Sequence, residues 1–136
     1  MISKYGPELM PRRQNEGDAG YDLYAPYEMT IGAGHTVTFD TGVALEDADI
    51  KESQFIMILP RSSMGFQYGL RMSNTACIVD SGYRDTIKIS ISVDKPLTLH
   101  RGERFAQMIV VDYGLIAGEI KPSKMRNGGI GSTGRM

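Results

Sequence analysis

Cysteine, histidine, tryptophan and long apolar runs are scarce in this chain, and each shortage closes off a class of function. Among 136 residues there is one cysteine, Cys77, and no tryptophan. A single thiol cannot close an internal disulfide. With no cysteine pair, and with His35 and His100 far apart in sequence, no spacing suggests a zinc site built by the protein. No apolar stretch approaches the twenty residues of a membrane helix, and the start lacks a charged segment followed by an apolar one. A soluble protein of a reducing compartment, the cytoplasm, is the expectation. Charge of one sign is missing too. Fifteen Lys and Arg against sixteen Asp and Glu leave a net charge of -1, with no like-charged run to meet a nucleic acid or a membrane.

Punctuation is what the chain has in quantity. Sixteen Gly and six Pro are spread along a length suited to one domain with one core. Met1 to Glu16 has no periodicity and reads as an extended lead-in. Asp18-Ala19-Gly20-Tyr21-Asp22-Leu23-Tyr24-Ala25 reads as a short strand, with Asp22 either solvated or turned into a crevice. Thr36 to Leu45 alternates β-branched and polar residues after a Gly-rich turn that leaves His35 exposed. Gln54 to Leu59 is an apolar run of strand length closed by Pro60, and Phe105 to Val111 is another, interrupted by Gln107. That amide must bond neighbouring backbone or point at a site. Glu119-Ile120 allows one more short strand before Pro122. Strands of five to eight residues, turns every 8 to 12 residues and no helical periodicity describe an antiparallel barrel of the jelly-roll kind.

Three fragments carry chemistry. Asn74 to Val93 reads as a hairpin: an apolar half ends at Asp80-Ser81-Gly82, whose turn chemistry leads to alternating Ile87, Ile89, Ile91 and Val93. Asp80 and Tyr83 stand at its mouth, and taken alone the turn is better explained as an ordinary surface loop that happens to hold an aspartate. Pro60-Arg61-Ser62-Ser63 suits either an N-cap on a short helical turn or a seat for an oxyanion. The ending, with Arg126, Ser132, Thr133 and several glycines, offers backbone amides to phosphate oxygens or is simply a Gly-rich tail; it is not a Walker A loop.

In order along the chain, five fragments resemble the five motifs of the homotrimeric deoxyuridine triphosphate nucleotidohydrolases, the dUTPases. They are Ala19 to Ala25, Pro60 to Ser63, Ile78 to Arg84, Gly102 to Ile109 and residues 126–134. The resemblance implies an all-β, distorted jelly-roll with little helix over residues 1–122, a flexible Gly-rich arm over 123–136, and a homotrimer with shared active sites. It implies hydrolysis of dUTP to dUMP and pyrophosphate by in-line water attack at the α-phosphorus, limiting uracil in DNA and supplying dUMP for thymidylate synthesis. Asp80 would be the general base. Backbone at Ile78, Val79 and Lys88, supported by Asn74, would read the uracil edge, and Tyr83 would pack under the deoxyribose. Arg61, Ser62, Ser63 and Gln107 would hold phosphate oxygens or the attacking water. Mg2+ would be held mainly by phosphates and water, with Asp22 acting through water. Arg126, Ser132 and Thr133 would close over the γ-phosphate from another subunit.

The resemblance has departures. Ile130 stands where the family commonly has a phenylalanine that stacks on uracil, with Phe66 and Tyr68 as other aromatics on hand; Cys77 and Asp85 stand where glycines are usual. Two other readings stay in play. One is a nucleotide-binding regulatory or recruiting protein on the same fold. The other is a dCTP deaminase, whose catalytic Glu would fall near Ser90, yet no glutamate lies between Glu52 and Glu103.

Overall fold

The computed structural model describes residues 1–123. Of the expected arm, only Ser123 is among them; Arg126, Ile130, Ser132 and Thr133 lie outside the described residues. The strands in chain order are β1 (Ile2–Ser3), β2 (Gly20–Tyr24), β3 (Met29–Ile31), β4 (Thr36–Asp40), β5 (Val43–Ala44), β6 (Gln54–Pro60), β7 (Arg71–Met72), β8 (Cys77–Val79), β9 (Lys88–Ser92), β10 (Leu97–Leu99) and β11 (Arg104–Asp112). Among the described residues one helix, α1, spans Ser62–Tyr68, and a 3-10 turn covers Pro7–Leu9. No helix among the described residues is long and apolar enough to cross a membrane.

Every pairing is antiparallel. One sheet has the order β2-β11-β6-β8, a second β4-β9-β7, and two ribbons, β1-β5 and β10-β3, complete the wrap. The expected dry face of β9 is present: Ile87, Ile89, Ile91 and Val93 are all buried. They meet Leu23, Ile56, Ile58 and Met108 of the larger sheet and Leu97 and Leu99 of the ribbon in one core. Phe105 is fully buried there, its ring centroid 5.6 Å from that of Phe39. Phe105→Ala therefore lowers stability by about 3–5 kcal/mol, read as a lower urea midpoint at unchanged slope.

Four local expectations are corrected. The Asn74 to Val93 stretch is no paired ribbon: β8 pairs with β6, whereas β9 pairs with β4 and β7. Residues between them cross from one sheet to the other, because Ile87 donates its amide to Val43 and accepts from the amide of Thr41. Thr36 to Leu45 is two strands, broken where Gly42 takes φ 74 and the Thr41 hydroxyl donates to Ile87 O at 2.7 Å. Glu119-Ile120 forms no strand, and Ile120 stands almost wholly in solvent. Ser62 and Ser63 do not cap α1; Arg61 is the N-cap residue, without a side-chain cap bond, and both serines sit in the first turn.

Candidate active site

β2, β11 and β6 lie side by side, which brings three of the sequence fragments together. Gln107 is opposite Asp22 on one side and Leu59 on the other. Asp22 is enclosed, with 14% of its side chain exposed, between Arg104 Nη1 at 3.3 Å and Arg61 Nε at 4.0 Å. Arg61 is held in turn: its amide donates to Phe105 O at 3.2 Å and its Nη1 to Arg104 O at 3.2 Å. Gln107 Nε2 donates to Pro60 O at 3.3 Å, so the odd amide of β11 both bonds backbone and sits at the cluster. Two guanidinium groups against one carboxylate leave a net positive corner with spare N–H donors, which suits an oxyanion.

Sequence reasoning gave Arg104 and Gly20 no role. The register of β11 shifts between Arg104 and Ala106. That bulge puts Phe105 and Ala106 both in the core and turns Arg104 to the same side as Gln107. Within an apolar run of this kind the sequence offers no clear signal of the bulge; it shows in the burial of Phe105 and Ala106 side by side. Gly20 matters for space: a Cβ there would run into the side chain of Gln107.

Asp80 stands exposed just past the end of β8, at the start of the crossing loop. Several bonds fix that loop. Tyr83 N donates to Asp80 O at 3.1 Å, Ser81 Oγ to Glu52 O at 3.3 Å, and Arg84 Nε to Asp47 Oδ1 at 3.0 Å. The ring of Tyr83 is buried in the core, and its hydroxyl donates to Thr86 O at 3.1 Å. Thr86 Oγ1 reaches Asp40 Oδ2 at 2.8 Å. Burial pushes the Asp40 carboxyl up, but bonds from Lys4, the Gly42 amide and Thr86 outweigh it and hold the group below the usual carboxylate range. The loop carrying Asp80 is thus anchored to a fixed anion at its far end.

A pocket of about 290 Å³ opens beside this loop, lined by Thr38, Ser73, Asn74, Cys77, Lys88, Ile89 and Ser90. Asn74 and Lys88 were singled out from the sequence as base readers; Thr38 and Ser73 were not, and Ser90 only as the place where a deaminase would carry a glutamate. Of the other expected readers of the base, Val79 is buried and Ile78 projects outward with 52% exposure. Their strand is the edge of its sheet, so half its backbone groups face away from β6. The Cys77 thiol is pushed up by burial, partly offset by a bond with the Asn74 side chain, and stays neutral against the pocket wall. Phe66 on α1 is 88% exposed, while Tyr68 packs partly buried against the core.

The two halves of the expected site lie apart. Val79 is opposite Ile56 and Ala106 opposite Pro60, which puts Asp80 level with Phe55 and Arg61 beyond the other end of β6. At about 3.3 Å per residue the separation is on the order of 16 Å or more. Among the described residues no group of three or more His, Cys, Asp or Glu could hold a metal ion. Asp22 already faces two guanidiniums, so this donor set fits an ion carried on phosphate oxygens and water, not a cation caged by protein.

Comparison with known proteins agrees with this architecture. Residues 7–134 match the dUTPase family model. The deoxyuridine 5'-triphosphate nucleotidohydrolase of Mycolicibacterium gilvum (strain PYR-GCK) is 37% identical over 113 residues, covering 80% of this chain and 71% of the relative. That of Mycobacterium tuberculosis (strain ATCC 25618 / H37Rv) is 33% identical over 138 residues, covering 98% and 87%. The crystal structure of the Streptococcus mutans dUTPase superposes with TM-score 0.71 at 28% identity, covering 87% of this chain and 97% of that one. The sheets described above are accordingly the jelly-roll β fold, and the chain belongs to the dUTPase family.

Proposed function

We propose that this chain hydrolyses dUTP to dUMP and pyrophosphate, at sites each completed by two copies of the chain. The observation that carries the reading is the cluster of Asp22, Arg61, Arg104 and Gln107, drawn from three segments into one positive corner, with Asp80 at the opposite end of the same sheet. A general base must lie within hydrogen-bond reach of the attacking water. Phosphate oxygens held at the corner of one copy and a water held by its own Asp80 are too far apart for that. A second copy supplying Asp80 removes the conflict.

The outer face of the larger sheet supports such packing. Ile78 lies opposite Met57 and Met57 opposite Ile109, an apolar row across three strands that a single chain leaves partly open. An apolar row of that kind is characteristic of a subunit contact, and a closed trimer gives three equivalent sites.

In the site, Asp80 accepts a proton from a water aimed in line at the α-phosphorus, and the bond to pyrophosphate breaks on the far side. Arg61, Ser62, Ser63 and Gln107 hold the phosphate oxygens from the other copy. Asp22, acting through water, would help hold a Mg2+ ion carried mainly on the phosphate oxygens, and that ion would supply charge neutralisation for the leaving group. The edge of β8 and the Asn74–Lys88 pocket take the base. The buried ring of Tyr83 forms a flat wall for a sugar lacking a 2'-hydroxyl. Arg126, Ser132 and Thr133 are assigned the γ-phosphate and Ile130 the base, as the sequence motif suggests; all four lie outside the described residues.

The test is pyrophosphate release from dUTP and UTP, with and without Mg2+. dUTP is expected to exceed UTP by about 100-fold or more in kcat/KM, and chelation of Mg2+ to slow both. Equal turnover of dUTP and UTP sinks the role given to Tyr83, and no turnover of dUTP sinks the reading. A deaminase reading has less support, since Ser90 stands where that chemistry needs a carboxylate and the relatives named above are nucleotidohydrolases.

A further inference from the structure

The crossing loop ends on a built anchor. Asp40, the last residue of β4, keeps only 21% of its side chain exposed and accepts three hydrogen bonds. The Gly42 amide donates to Oδ1 at 2.8 Å, and Lys4 Nζ and Thr86 Oγ1 donate to Oδ2 at 2.9 and 2.8 Å. The Lys4 amide donates to Gly42 O at 2.9 Å, so the segment after β1 is tied to the same corner. These bonds fix the carboxylate facing Thr86.

Thr86 passes the anchor on. Its main-chain oxygen accepts from the Tyr83 hydroxyl at 3.1 Å, and the amide of the same peptide unit, that of Ile87, donates to Val43 O at 2.8 Å. A peptide unit is planar, so Val43 and Asp40 together fix where its oxygen lies. On the Ile87 side the chain is held by Val43 and Thr41; on the Tyr83 side the Thr86 hydroxyl makes the tie. Without that tie the unit hinges on the Val43 bond, and the phenol follows its acceptor. An ionised acceptor suits the task, since its hydrogen bonds are roughly twice as strong as neutral ones.

We propose that Asp40, acting through Thr86, positions the Tyr83 ring and so sets how strongly ribonucleotides are rejected. The inference rests on the reading of that ring as the sugar wall of a dUTP hydrolase. Asp40 is a positioning residue, since it reaches the nucleotide only through Thr86 and Tyr83. A ribose exceeds a deoxyribose by one hydroxyl, and room for it opens when the wall tilts. Loosening the anchor therefore admits UTP, while Asp80 keeps the separate ties of its own end of the loop through Ser81 and Arg84.

The experiment uses the full chain and compares kcat/KM for pyrophosphate release from dUTP and from UTP at saturating Mg2+. Asp40→Ala and Thr86→Val are each expected to lower the dUTP:UTP ratio by about tenfold, the effect of one hydrogen bond, through a rise for UTP. The double variant lowers it no further than Asp40→Ala, because both changes break one link. Thr86→Ser keeps the hydroxyl and stays within about threefold of the wild-type ratio. A loss of folded protein scales both substrates alike, so the ratio separates positioning from stability. Thr86→Val, which keeps the shape of the side chain, decides the matter if Asp40→Ala does not fold. An unchanged ratio in Thr86→Val, a parallel fall for both substrates, or additive effects in the double variant overturns the inference. Absence of dUTP turnover in the wild type overturns the underlying reading instead, and equal wild-type turnover of dUTP and UTP removes the sugar wall from it.

Discussion

Asp80→Asn lowers kcat for dUTP by about 10²–10⁴-fold, the range expected for loss of a general base, and leaves KM within about threefold. The substitution keeps the size of the side chain and its place beyond β8, so the loop retains its bonds through Ser81, Tyr83 and Arg84. What changes is the ability to take a proton from water. An interaction used only in the transition state lowers kcat and kcat/KM together, whereas loss of substrate binding would raise KM. Steady-state kinetics on dUTP distinguishes the two. Wild-type kcat in the variant would remove Asp80 from the chemistry.

Mixing two inactive variants is expected to restore activity. Asp80→Asn lacks the base, and Arg61→Ala lacks a phosphate donor of the positive corner and leaves Asp22 with Arg104 alone. After dissociation and random reassembly, each site draws Asp80 from one copy and Arg61 from another. Each is intact half the time, so about one quarter of wild-type turnover returns. A site within one chain predicts no gain over the sum of the separate variants. The experiment thus weighs the separation along β6 directly.

Local periodicity carried much of this fold. The alternation from Ile87 to Val93 foretold a strand with a buried face, and Gln107 was conspicuous because an amide in an apolar run needs a partner. Partner choice was not local. Asp80-Ser81-Gly82 has the chemistry of a tight turn whether or not its flanking strands pair, and what draws β9 away from β8 is β4, some fifty residues earlier. The positive corner was equally hidden. Asp22 and Gln107 met only through the register of β2 on β11, and Arg104 joined them through a bulge that the apolar run from Phe105 to Val111 does not mark. Thr38, Ser73 and Ser90 looked like the wetted side of ordinary strands, because nothing in their spacing says that three segments bring them to one pocket.

The crossing of the chain from β8 to β9 couples the wear of the molecule to its work. Asp80, the proposed proton acceptor, is mounted where two sheets are stitched together and would move whenever one sheet slides on the other. Loosening the sandwich by heat or denaturant should misaim that carboxylate before the strands themselves come apart, so activity would fade ahead of the global melt. Changes that tighten the stitch would lengthen the catalyst's life more than they would raise its turnover.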